Sequence, residues 1–105
     1  MKTLVWFRSD LRLEDNPALK NAFIESDEIH AVFIYSKVQL KRHNESNVKI
    51  DFLIRNLNSL EQSLAALNIP LILLNSKGFE DNGVLLNQYA IENSINTVYW
   101  NNQFG

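Results

Sequence analysis

A chain of 105 residues, 46% of them apolar, is sized for one folded domain that buries about two-thirds of its unfolded surface. Gly and Pro together number only 3 and 2, no apolar run reaches the ~20 residues of a membrane span, and no signal-peptide pattern opens the chain, so a disordered or membrane class is excluded. The net charge of −2 gives no general pull on nucleic acid, and the lack of cysteine rules out disulfides and thiolate metal sites, as expected of a cytoplasmic protein.

Thr3 to Arg8, rich in Val, Trp and Phe, predicts a short buried strand. Asn16 followed by Pro17 is a helix start, with Asn as cap and Pro at the first helical position, and Leu19, Ala22 and Phe23 then share one face. Ile29 to Tyr35 predicts a second strand, and a polar loop follows from Ser36 to Asn47. Val48 to Leu67 is the clearest helix, with Ile50, Leu53, Ile54, Leu57, Leu60, Leu64 and Leu67 at helical spacing and Asp51 placed to pair with Arg55. Pro70 to Leu74 predicts a third strand, Val84 to Asn93 a third helix, and Thr97 to Trp100 a fourth strand.

Strands alternating with helices, joined by crossovers of this length, predict an α/β fold: a Rossmann-like doubly wound parallel sheet. The chain reads as one domain over residues 1–105. Gly105 follows the fourth strand closely with no helix after it, so the domain is expected to be cut short there, with an apolar edge or face left to self-associate.

The carboxyl ends of such strands are where ligands bind. Arg8, Ser9, Asp10 and Arg12 follow the first strand in a turn that has no glycine. The only glycines, Gly78, Gly83 and Gly105, build neither a dinucleotide fingerprint nor a Walker-type loop. Two readings of the turn stand side by side: a ligand cleft, or a network in which Arg8, Asp10, Arg12 and Asp15 pair and fix the geometry. The loop with Lys37, Lys41, Arg42 and His43 is either a solvated loop or a second anion-facing surface. Charge favours the first half as the anion-facing one. Residues 1–55 carry nine Lys and Arg against eight Asp and Glu, or +1, and residues 56–105 carry Lys77 against four acids, or −3. His30 and His43 lack ligand spacing, so no metal site is expected. The aromatics Trp6, Phe7, Phe33, Tyr35, Tyr99 and Trp100 fall on strands and read as core.

Trp6, Phe7, Arg8, Asp10, Leu11, Arg12, Asp15, Asn16, Ala18 and Leu19 match the opening signature of the photolyase/cryptochrome family. The likeness continues through Tyr35, the loop holding His43 and Asn44, Ile69 to Leu74, and Val98 to Asn101 with Gln103, and so covers the whole chain. The chain thus resembles the N-terminal α/β antenna domain of bacterial members. The resemblance implies a longer parent in which a helical domain, absent here, holds FAD and reads damaged DNA. That parent splits cyclobutane pyrimidine dimers with blue light and reduced FAD, whereas this chain alone is expected to be inactive and to hold no catalytic residue. It further implies a light-harvesting chromophore, methenyl-tetrahydrofolate, with flavin or deazaflavin as alternatives. His43 matches the histidine that contacts folate, and Arg8 and Asp10 are expected to shape the antenna cleft. The family's Asn-Glu pair that also contacts folate would fall beyond Gly105. Two other readings share these residues: a cryptochrome-type blue-light photoreceptor, and a generic nucleotide-binding α/β module.

Overall fold

A computed structural model describes residues 1–8, 11–37, 47–77 and 82–101. Four strands and three helices alternate along it: β1 (Lys2–Phe7), α1 (Pro17–Glu25), β2 (Glu28–Tyr35), α2 (Asn47–Ala65), β3 (Leu71–Asn75), α3 (Asn82–Glu92) and β4 (Thr97–Trp100). The bounds differ from the sequence expectation by one or two residues, the usual scatter at element ends.

All four strands are parallel, in the order β3-β2-β1-β4. This is the doubly wound arrangement expected of the alternating pattern. Strand alternation sends Val5 and Phe7 to one face of β1, and Leu4 and Trp6 to the other. On the first face, Val5, Phe7, Ile29 and Ala31 pack against Ala18, Leu19 and Ala22 of α1, Leu60 and Leu64 of α2, and Ile69. On the second, Leu4 and Val32 pack against Leu86 of α3, flanked by Trp6, Ile34, Ile72, Leu74, Tyr89, Ile95 and Val98. The β3-to-β4 crossover places α3 on the face opposite α1 and α2.

Local chemistry sets where the helices begin and end. Asn16 adopts an extended backbone and its side chain accepts from the Leu19 N–H, while Pro17 sits in the first helical turn. α2 closes with Asn68 N–H donating to the Ala65 carbonyl and Ile69 N–H donating to Leu64, with Asn68 at φ 63°. That is a Schellman closure with asparagine in the left-handed position, and it delivers Ile69 into the core beside Leu64. Ser94, at φ 57°, ends α3 in the same way, with Ile95 N–H donating to the Ala90 carbonyl.

Two expectations are corrected. Helical spacing does not bury the whole face of α2: Leu60 and Leu64 are buried, Ile50, Leu53 and Leu57 are half-buried, and Ile54 and Leu67 are exposed. Asp51 and Arg55 form none of the ion pairs among the described residues, consistent with the small return on an exposed pair.

Candidate functional site

β1 leads by way of α1 to β2 on one side, while β4 arrives on the other side from the opposite face. The crevice at the carboxyl ends of β1 and β4 is therefore the topological switch point, where open α/β sheets place their ligands. Trp6 and Trp100 are register partners there, with ring centroids 6.2 Å apart and planes inclined by 58°. The Arg8 guanidinium carbon lies 5.0 Å from the centroid of Trp6, a cation–π contact. Trp100 is 50% exposed, so this aromatic is not the core residue its strand position suggested. A short strand at the sheet edge leaves one side of its last residue uncovered.

The N-terminus of α1 opens onto the same crevice, and its donors are taken. Pro17 has no N–H. Ala18 N–H donates to Oδ1 of Asn101 at 2.9 Å, Leu19 N–H to Oδ1 of Asn16 at 3.1 Å, and Lys20 N–H to the Asn16 carbonyl at 3.0 Å. Asn101 Nδ2 then donates to Oδ1 of Asn16 at 2.7 Å, and Asn16 Nδ2 to the Arg12 carbonyl at 2.9 Å. Helix N-termini bind phosphate because their N–H groups lack partners. Here the first turn of α1 is capped by two asparagines instead, one local and one delivered from the end of β4.

Of the residues singled out in the sequence, Arg8 stands at the end of β1, exposed, over Trp6. Asp10 and His43 lie outside the described residues. Arg12 pairs with no carboxylate in the described turn; its Nη2 donates to the Asp15 backbone carbonyl at 3.1 Å, and Asp15 takes φ 50°. The first turn thus uses part of its charge for geometry. Asn101 was legible only as part of the resemblance, and its capping role lies 83 residues away in sequence from the N–H it accepts.

Beneath the ends of β2 and β3, Phe33, Tyr35, Lys37, Ile50, Leu53, Ile54, Leu57 and Leu73 line a cavity of about 260 Å³. That is below the usual range of ligand pockets. Ser36 and Ser76 follow β2 and β3 and are buried, with Ser76 N–H donating to the Tyr35 carbonyl at 2.7 Å. Among the described residues no group of three or more His, Cys, Asp or Glu is placed to hold a metal, and no helix is long and apolar enough to cross a membrane. The switch point offers flat indoles, a guanidinium and a closed helix end. Among the described residues the switch point thus presents planar aromatic surface and a cation, with the first N–H groups of α1 already bonded.

The shifted ionisations lie elsewhere. The N-terminal amine holds the Asp27 carboxyl below its ordinary range by hydrogen bond and charge, and a hydrogen bond with His30, helped by the Lys2 ammonium, holds the Glu28 carboxyl below its own. Burial raises Tyr89, and a hydrogen bond to the Glu25 carboxylate raises Tyr99.

Residues 3–105 match the family model described as DNA photolyase. The deoxyribodipyrimidine photo-lyase of Vibrio cholerae is 39% identical over 87 residues, covering 83% of this chain and 19% of that protein. That of Escherichia coli is 35% identical over 102 residues, covering 96% of this chain and 22% of that protein. Cryptochrome-1 of Sinapis alba is 40% identical over 73 residues, covering 70% of this chain and 12% of that protein. The chain therefore spans about a fifth of the length of the photo-lyases it matches.

Proposed function

This chain belongs to the DNA photolyase family, and on that premise we propose that it is the N-terminal antenna portion of a deoxyribodipyrimidine photo-lyase. The parent would use blue light and reduced FAD, held in a helical domain, to split cyclobutane pyrimidine dimers in damaged DNA in the cytoplasm. In this reading residues 1–105 carry no catalytic group. They seat a light-harvesting chromophore, methenyl-tetrahydrofolate or a flavin or deazaflavin in its place, in a cleft shaped by Arg8 and Asp10, and His43 touches it.

The observation that carries the reading is the match of nearly the whole chain, 3–105, to the family model. The switch point supports it physically. A nucleotide-binding module needs free N–H groups at the first helix, and α1 has given its own to Asn16 and Asn101. A conjugated ring needs flat apolar surface, which Trp6 and Trp100 supply.

The test uses the full-length protein that contains this sequence. Repair of dimer-containing DNA under blue light, together with folate uptake seen in near-UV absorbance and lost in His43→Ala, is the expected result. Absence of repair overturns the lyase reading, and unchanged folate uptake in His43→Ala overturns the role of that residue. The match to Cryptochrome-1 favours one second reading, a blue-light photoreceptor that signals without repair. A full-length protein that binds flavin, responds to blue light and leaves dimers intact would establish it.

A further inference from the structure

We propose that Tyr89 is a proton-coupled electron donor: a one-electron oxidant takes an electron from its phenol while the phenolic proton passes to Nδ1 of His30. The inference stands on geometry far from the switch point and is independent of the antenna reading.

His30 lies near the start of β2, with its side chain 15% exposed. Its Nε2 is 2.8 Å from Oε2 of Glu28, and its Nδ1 is 2.8 Å from the Tyr89 hydroxyl. An ionised carboxylate only accepts, so in the neutral ring the hydrogen is on Nε2 and Nδ1 keeps its lone pair. The Tyr89 hydroxyl is then the donor, and a directed chain runs from phenol to imidazole to carboxylate. The two rings meet edge to face, 5.9 Å between centroids and inclined by 63°. α3 holds the phenol in place, since Tyr89 packs on the cluster of Leu4, Val32 and Leu86. The charged groups on the chain are Glu28 itself and Lys2 of β1, whose Nζ is 3.6 Å from the same carboxylate oxygen.

A phenol that loses an electron becomes a strong acid and must shed its proton at once. Tyr89 has a base already in hydrogen-bond contact. The O–H bond breaks, an N–H bond forms at Nδ1, and the electron goes to the oxidant. The products are a neutral tyrosyl radical and an imidazolium beside the Glu28 carboxylate, which carries the opposite charge. The oxidant is of the one-electron photo-oxidant class, such as an aromatic radical cation. Return of one electron sends the proton back along the same bond. Burial and the charge of Glu28 hold the phenol above its ordinary value of 10.0, so the species oxidised at neutral pH is the phenol and not phenolate. Tyr99 is the internal comparison. Its hydroxyl bonds the Glu25 carboxylate instead of an imidazole.

The experiment is flash photo-oxidation of the protein with ruthenium(II) tris-bipyridine and persulfate at neutral pH, following the tyrosyl radical by absorbance and electron paramagnetic resonance. The expected result is a dominant fast phase with a deuterium isotope effect, unchanged in Tyr99→Phe and absent in Tyr89→Phe. In His30→Gln, which keeps a polar side chain but not the base, the phase slows about tenfold. Persistence of the fast phase in Tyr89→Phe overturns the proposal, as does an unaltered rate in a His30→Gln variant with native circular dichroism. If His30→Gln does not fold, Glu28→Gln decides from the exposed end of the chain. It leaves an acceptor for Nε2–H but no charge to balance the imidazolium, so a severalfold slower phase supports the relay and an unchanged rate overturns it.

Discussion

Asn16→Ala tests the account of the closed helix end most directly. The Asn16 side chain is 5% exposed and makes three hydrogen bonds: from Leu19 N–H, from Asn101 Nδ2 and to the Arg12 carbonyl. Loss of an asparagine cap costs about 1 kcal/mol. Where the donor it strands is buried, as the Leu19 N–H is, that same loss reaches about 1–3 kcal/mol. Asn101 and the Arg12 carbonyl are only part-buried and recover some bonding from water. The total is about 2 kcal/mol, a sizeable share of the roughly 5–15 kcal/mol that holds a small domain folded. At about 4–8 °C per kcal/mol, the melting temperature should fall by roughly 10 °C.

Urea unfolding followed by far-UV circular dichroism measures this, and two further variants divide the effect. Asn16→Asp keeps the acceptor for Leu19 and loses only the donor to Arg12, so it should cost about 1 kcal/mol. Asn101→Ala leaves Ala18 N–H without its 2.9 Å partner, and combined with Asn16→Ala it should show a coupling of about 0.5 kcal/mol or more. A loss below about 0.5 kcal/mol in Asn16→Ala would refute the reasoning, because a surface substitution costs no more than that. Strict additivity of the two alanines would show that the asparagines do not act as one cap.

Leu64→Ala, at a site with no exposure beside the Schellman closure of α2, should cost about 3 kcal/mol in the same assay, and Ile54→Ala, half exposed on the same helix, under about 0.5 kcal/mol. Glu28 has a carboxyl lowered first by its hydrogen bond to His30 and then by Lys2. The unfolded chain binds that proton more tightly, so the contribution of Glu28 is present above its ordinary value of 4.5 and is lost as pH falls below it. Glu28→Gln should therefore flatten the pH dependence of unfolding in that acid window, and an unchanged slope would refute the assignment. The 105-residue chain by itself should form concentration-dependent dimers, since the exposed Trp100, Val84 and Ile91 leave apolar surface uncovered; a strictly monomeric sedimentation profile at high concentration would refute this.

What the sequence made legible was local. Asn16 and Pro17 announce α1 because a cap and its first turn are neighbours in the chain. Leu60 and Leu64 announce the buried stripe of α2 because helical spacing fixes which residues share a face. Spacing is silent about what lies opposite that face, so Ile54 read as core and is half exposed. The left-handed closures that end α2 and α3 were illegible for a different reason. Asn68 and Ser94 hold positive φ without glycine, and nothing short of the backbone geometry marks them. The links that shape the site are long-range: Asn101 reaches Ala18 across 83 positions, and Tyr89 reaches His30 across 59. No pattern along the chain connects such pairs; only the sheet order does.

The missing glycine in the first turn has a consequence at the opposite end of the sheet. A glycine-rich turn lets a phosphate approach the backbone and leaves the helix N–H groups to bind it. With a side chain on every residue of that turn, the sequence offers no such approach, and the N–H groups of α1 still need acceptors. Asn16 can serve Leu19 but not Ala18, whose acceptor must come from another strand. β4 is the neighbour of β1 at the switch point, and its next residue, Asn101, supplies both the acceptor and a donor back to Asn16. Filling the phosphate position with asparagine leaves the indole pair as the apolar surface of the crevice. Asn101→Gly, which empties the phosphate position without adding a side chain, should leave the Trp6–Trp100 near-UV circular dichroism in place and lower stability through the lost bonds to Ala18 and Asn16, by about 1–2 kcal/mol. A change in the tryptophan signal instead would mean that the asparagine bridge and the indole pair are one unit, and that the crevice cannot be described as two separable halves.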